Sequence, residues 1–213
     1  MKQRLLEDGL VDVIADVADR MTSVYRDGHK VLFFGNGGSA GDAQHLAAEL
    51  VGRFRLERAS LPALALVCNV SSMTAIANDY SYSDVFARQV ESLGTAGDMA
   101  IGLSTSGRSE NVLRGIAVAR EKGLATVALT GEDGSHLAEI ADVCVCVPAR
   151  ETARIQEGHL LIGHILCELV ERTLFGGDQA SVPPPRSPEE CGPTSVDGSR
   201  GRVPIELSRP ITA

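Results

Sequence analysis

The stretch Gly35 to Leu50, GNGGSAGDAQHLAAEL, follows directly on the apolar run Val31-Leu32-Phe33-Phe34 and joins a glycine-rich turn to a helix-forming segment. A short apolar run closed by glycines reads as a buried parallel strand turning into a helix. Gly35, Gly37 and Gly38 then fall where backbone N–H groups face an anion, and Ser39 is expected to cap the helix and offer a hydroxyl. A parallel strand reaches its neighbour only through a crossover, so this junction points to an α/β architecture.

The remaining chain agrees. Apolar positions at helical spacing between residues 4 and 26 (Leu6, Leu10, Val13, Ile14, Val17, Met21, Val24, Tyr25) predict a long first helix. Strand-like runs follow at 63–67, 99–103, 126–129 and 143–147, separated by helical segments near 70–77, 83–93, 109–121, 136–141 and 152–175. Five parallel strands with helical crossovers place the polar loops at the strands' carboxyl ends, where open sheets bind ligands. Both terminal helices carry more apolar surface than one small domain needs, which predicts a homo-oligomer built by helix packing.

At 213 residues and 44% apolar content, one domain over 1–177 accounts for the core. Beyond Gly177 lie seven of the nine prolines and no aromatic residue, so 178–213 reads as a disordered Pro/Ser/Gly-rich tail. A net charge of −8 opposes nonspecific nucleic-acid binding, and the run Arg53 to Arg58 reads as a solvated loop. No run approaches the roughly 20 apolar residues of a membrane span, and the N-terminus lacks a secretory pattern, so the expected location is the cytoplasm. Cys68, Cys144, Cys146 and Cys167 are expected as small core residues, with Cys144 and Cys146 on one face of a strand. No CxxC pair suggests a disulfide framework or a thiolate zinc site.

Gly35 to Ala40 also fits the loose pattern GxGxxA, but a dinucleotide fold places an acid at the end of its second strand, and this one runs out at Cys68-Asn69. A second polar cluster, Ser104-Thr105-Ser106-Gly107-Arg108-Ser109, again lies between a strand and a helix. Its hydroxyls suit phosphate oxygens, although an ordinary capped turn has similar composition. On the second helix Asp42, His45, Glu49 and Arg53 form one polar stripe opposite Ala43, Ala47 and Leu50. His45 and Glu49 suit either an exposed i,i+4 pair or a site for Zn²⁺ or proton transfer. Gln156 and His164 on the last helix are eight residues apart, about 12 Å along its axis, so one ion bridges them only with an irregular helix start or a second subunit.

Together the segments GNGGSAGDAQHLAAELVGRF, NDYSYSDVFARQVESLG, STSGRSENV, LTGEDG and ETARIQEGHLLIGHILCELVE resemble, in order across residues 4–175, the phosphoheptose isomerase family of the sugar isomerase (SIS) fold. The resemblance implies a three-layer, flavodoxin-like fold: an open five-stranded parallel sheet with helices on both faces. It implies a homotetramer with sites between subunits and one Zn²⁺ per subunit at His45, Glu49, Gln156 and His164. Substrate contacts are carried onto Asn36, Gly37, Gly38, Ser39, Glu49, Asn78, Asp79, Ser104, Thr105, Ser106, Ser109 and Gln156, and catalysis onto Glu49 and His164. The implied reaction interconverts sedoheptulose 7-phosphate and D-glycero-D-manno-heptose 7-phosphate through an enediol, opening nucleotide-activated heptose synthesis. Arg108 stands where the family usually has asparagine, with lesser departures at Gly41, Ser81 and Ser83. The competing readings are a noncatalytic SIS protein that binds a replication initiator or other partner, and an isomerase of another sugar phosphate.

Overall fold

Alternation along the strands builds the fold. In the computed structural model, which describes residues 1, 4 and 9–177, the strands are β1 Val31–Gly35, β2 Ala63–Ala65, β3 Met99–Leu103, β4 Ala125–Thr130 and β5 Val143–Cys146. They pair in the order β2-β1-β3-β4-β5, every pairing parallel. Val31, Phe33, Met99, Ile101, Leu103, Val127, Leu129 and Val145 point to one face, and Leu32, Phe34, Ala100 and Ala128 to the other. Each face is covered by helices, as an all-parallel sheet requires.

The helices are α1 Leu10–Arg26, α2 Gly38–Val51, α3 Val70–Asp79, α4 Ala87–Leu93, α5 Glu110–Glu121, α6 Ser135–Ile140 and α7 Thr152–Phe175. The first face packs against α1, α2 and α7, the second chiefly against α4, α5 and α6, giving three layers. The α/β expectation holds, with the order 2-1-3-4-5. The order reverses between β1 and β3, so the loops after these two neighbouring strands flank the switch point.

Four expectations need correction. The first helix begins at Leu10, with a left-handed Gly9 (φ 67°) at its N-cap, and residues 5–8 of the expected span lie outside the described residues. Strand β2 stops at Ala65, where a turn takes over. The apolar faces of α1 and α7 pack largely on each other and on the sheet, so little of them beyond Val11 and Ile165 is left exposed. Of the described cysteines only Cys167 is buried; Cys68 is exposed and Cys144 and Cys146 are half-buried. The expected tail at 178–213 lies outside the described residues.

Candidate active site

The glycine-rich turn closes because Gly35 and Gly37 lack side chains. A Cβ on Gly35 would come within 2.8 Å of the Leu103 carbonyl, and Gly37 caps α2 at φ 57°. Ser39 does not cap: Gly37 holds the N-cap position, while Ser39 sits in the first turn, 3% exposed and packed against Gly35. The start of α2 leaves backbone N–H groups without intrahelical acceptors, as every helix N-terminus does.

Asn36 is held by a reciprocal pair with the buried Asn111 of α5, Nδ2 to Oδ1 at 2.8 and 2.9 Å, and its Oδ1 also accepts from the Tyr82 hydroxyl at 3.0 Å. Asn111 and Tyr82 went unnoticed in the sequence as site residues, because only tertiary packing brings α5 and the 82–84 turn to Asn36. Asn78 and Asp79 end α3, where the Asn78 amide donates to the Asp79 carboxylate at 2.8 Å. Among the described residues no hydrogen bond joins either one to the two loops.

After β3, the Ser104 Oγ lies 3.0 Å from the Ser109 Oγ and 3.5 Å from the Ser106 Oγ, with Gly107 left-handed at φ 63°. The hydroxyls therefore cluster at the start of α5. Thr105, Ser106 and Arg108 line a cleft of about 720 Å³ with Gly131, Glu132, Asp133, Ala149, Arg150 and Ile155. Arg108 crosses to the facing loop, donating to the Ser135 Oγ at 3.1 Å and pairing with Asp133 at 3.5 Å.

His45 and Glu49 lie further along α2. His45 Nε2 is 3.3 Å from Glu49 Oε1 and 2.8 Å from His164 Nε2 on α7. Phe54 stacks on the His164 ring, with centroids 5.4 Å apart. The His45, Glu49 and His164 donor atoms all lie within 4.8 Å of one another. An exposed i,i+4 pair alone would not recruit a third group from another helix. Two imidazoles and a carboxylate are donors that suit zinc, so the set fits that ion.

Gln156 is not beside the trio. Helix α7 is continuous from Thr152, and the Gln156 amide packs where a Cβ on Gly38 would collide with it. A Cβ on Gly163 would likewise strike Leu46. These contacts make α2 and α7 run parallel, with Gln156 beside the glycine-rich turn and His164 about 12 Å further on.

Asp42 keeps its place on the stripe, half-buried, and desolvation raises its carboxyl despite the counteracting His45. Arg53 falls beyond the end of α2. The arginine run is no plain solvated loop: Arg58 is buried against Glu171 at 2.8 Å and donates to the Glu49 and Leu50 carbonyls, securing the end of α2. Glu171 also accepts from the backbone N–H groups of Phe54, Arg55 and Leu56. Burial pushes its carboxyl up, but these bonds outweigh it and hold the group below the usual carboxylate range.

Comparison with known proteins adds the following. The SIS domain sequence pattern matches residues 3–131. The phosphoheptose isomerase of Sulfurimonas denitrificans is 50% identical over 177 residues, covering 83% of this chain and 91% of that protein. The phosphoheptose isomerase of Roseiflexus is 53% identical over 175 residues, covering 82% and 88%. The structure of the phosphoheptose isomerase from Neisseria gonorrhoeae superposes with a TM-score of 0.75 at 42% identity, covering 80% of this chain and 90% of that one.

Proposed function

The chain belongs to the SIS-domain family, among the phosphoheptose isomerases, and from that premise we propose how its residues carry out the isomerisation of a heptose phosphate. The substrate pair we infer is sedoheptulose 7-phosphate and the corresponding aldose 7-phosphate. The observation that carries the mechanism is the convergence of His45, Glu49 and His164 from two helices.

The phosphate sits on the hydroxyls of Ser104, Thr105, Ser106 and Ser109 and the N–H groups of Gly37, Gly38 and Ser39, between the starts of α2 and α5. Asn36, fixed by Asn111 and Tyr82, offers its amide to the sugar hydroxyls, joined by the Asn78 amide and the Asp79 carboxylate from the end of α3. His45 lies seven positions after Gly38, about 10 Å along α2, a length suited to an extended sugar phosphate. Binding energy at the phosphate then orients the reacting carbons.

Glu49 removes the proton from C1 of the ketose, the electron pair forms the C1–C2 double bond, and O2 takes a proton. Glu49 returns its proton to C2 as the O1 proton leaves, giving the aldehyde. His164 shuttles the oxygen protons and assists ring opening, and His45 and Phe54 fix its ring. His45, Glu49 and His164 would hold Zn²⁺, with Gln156 supplied by a second copy of the chain because its own lies beside Gly38. The ion, one per subunit, would polarise the substrate carbonyl.

Exposed apolar residues support assembly. Helix α3 buries no residue in the protomer, Val70 is 69% exposed, and Val51 and Ile165 are exposed beside the trio. We infer a homotetramer whose sites lie at subunit contacts. No helix of the described residues is long and apolar enough to cross a membrane, and a phosphorylated sugar, itself membrane-impermeant, suits a cytoplasmic enzyme. The test is incubation with sedoheptulose 7-phosphate, with and without added zinc, followed by product analysis. An aldose 7-phosphate is expected; unchanged ketose under both conditions contradicts the assignment.

A further inference from the structure

Cys144 and Cys146 take no part in the isomerisation. They project from one face of β5 with their sulfurs 3.5 Å apart, and the Thr130 Oγ1 lies 3.4 Å from the first and donates to the second at 3.5 Å. Both are half-buried and line a separate pocket of about 260 Å³ with Arg4, Leu10, Glu132 and Pro148. Glu132 also forms part of the wall of the larger cleft. Among the described residues no third His, Cys, Asp or Glu completes a metal-binding group here. Two adjacent, accessible thiols without a third ligand have a covalent chemistry of their own.

We propose that Cys146 and Cys144 form a reversible oxidation site, at which a hydroperoxide converts the pair into an intrachain disulfide that loosens the β5 edge and the neighbouring cleft loop. The Cys146 thiolate attacks one peroxide oxygen, the O–O bond breaks, and the leaving oxygen departs as alcohol or water, giving a sulfenic acid. The Cys144 sulfur then attacks the Cys146 sulfur, the S–O bond breaks, and the expelled hydroxide takes the Cys144 proton to form water. The two sulfurs lose two electrons and the peroxide gains them.

The order of attack follows from the hydrogen bonds. A hydrogen bond shared with the Cys144 sulfur holds the Cys146 thiol below the ordinary range, burial opposes, and the Thr130 hydroxyl, which donates to the Cys146 sulfur at 3.5 Å, favours the thiolate there, while the Cys144 thiol is pushed up. Cys146 is therefore the nucleophile and Cys144 the resolving thiol.

Two residues of strand span about 6.6 Å between Cα atoms, at the upper end of the roughly 4.4–6.8 Å that a disulfide accepts. Closing the bond must contract β5. This strand has four residues and one neighbour, paired as Ala128↔Cys144 and Thr130↔Cys146, so contraction weakens the edge ladder rather than the interior of the sheet. Thr130 leads directly into Gly131, Glu132 and Asp133 of the cleft. A bond closed against the strand is readily reduced again.

The experiment treats the full-length protein with hydrogen peroxide and then dithiothreitol, mapping peptides by mass spectrometry and amide hydrogen exchange at each stage. The expected product is a 144–146 peptide lighter by two hydrogens, with exchange in β5 and Gly131–Ser135 at least about 10-fold faster, both reversed by the thiol. Cys144→Ser should instead leave a dimedone-reactive sulfenate on Cys146, and Cys146→Ser should leave residue 144 unoxidised. Absence of the bridge, a bridge to another cysteine, or a 144–146 bridge with unchanged exchange overturns the proposal. None of these readouts depends on sugar turnover.

Discussion

Glu49 lies four residues from His45 in sequence and His164 lies 119 away, yet both meet it. His164→Gln keeps a hydrogen-bonding side chain but no group that titrates near neutrality, so turnover should fall by about 100-fold or more while the circular dichroism spectrum is unchanged. A variant that turns over normally would remove His164 from proton transfer. Ser106→Ala deletes one hydroxyl from the phosphate cluster, worth about 1 kcal/mol, so KM should rise about fivefold with kcat nearly intact; a fall confined to kcat would refute its binding role. The His45/Glu49 pair was legible from i,i+4 spacing, but spacing left its purpose open. His164, Asn111 and Tyr82 take their meaning from other helices, and the burial of Arg58 depends on a carboxylate 113 residues away.

At the level of elements, the strands were readable because apolar runs bounded by Gly, Ser and Asn leave few alternatives. Boundaries were less so: the left-handed Gly9 and the N-cap at Gly37 are conformations, and composition does not reveal them. The site depends on the close parallel approach of α2 and α7, which Gly163 permits beside Leu46. Gly163→Val should overpack this contact, costing about 1–3 kcal/mol and most of the activity, as a lowered urea midpoint and rate would show; wild-type values for both would exclude the contact as a determinant.

Helix α7 also carries His159, which is fully buried with its Nε2 3.1 Å from the Thr130 carbonyl and its Nδ1 unpartnered. Burial holds this imidazole down at about 4, against 6.5 for the ordinary group. The unfolded chain thus binds the proton first, and stability falls as the pH drops from about 6.5 towards 4, by about 3 kcal/mol for this group. Urea titrations at pH 7 and 4.5 should show a smaller acid loss in His159→Gln than in the native protein. Equal losses would contradict it.

On the scale of the whole molecule, the order 2-1-3-4-5 sets the glycine turn and the serine loop side by side at the switch point, and parallel packing of α2 and α7 carries the acid/base trio away from them along α2. The sequence conveyed the α/β class but not the strand order, which depends on pairings between distant segments. It placed the open apolar surface on α1 and α7, which largely cover each other and leave Val11 and Ile165 exposed, while α3 stays open. Light scattering should report about four times the mass of one chain; a monomer would leave Gln156 without a route to the trio. The central claim is that Glu49 moves a proton between two carbons of the sugar. Nuclear magnetic resonance of sedoheptulose 7-phosphate incubated with enzyme in deuterated water tests it directly. Deuterium should enter at C1 of the ketose and C2 of the aldose with native protein and not with a folded Glu49→Gln variant; equal incorporation by both would contradict the account.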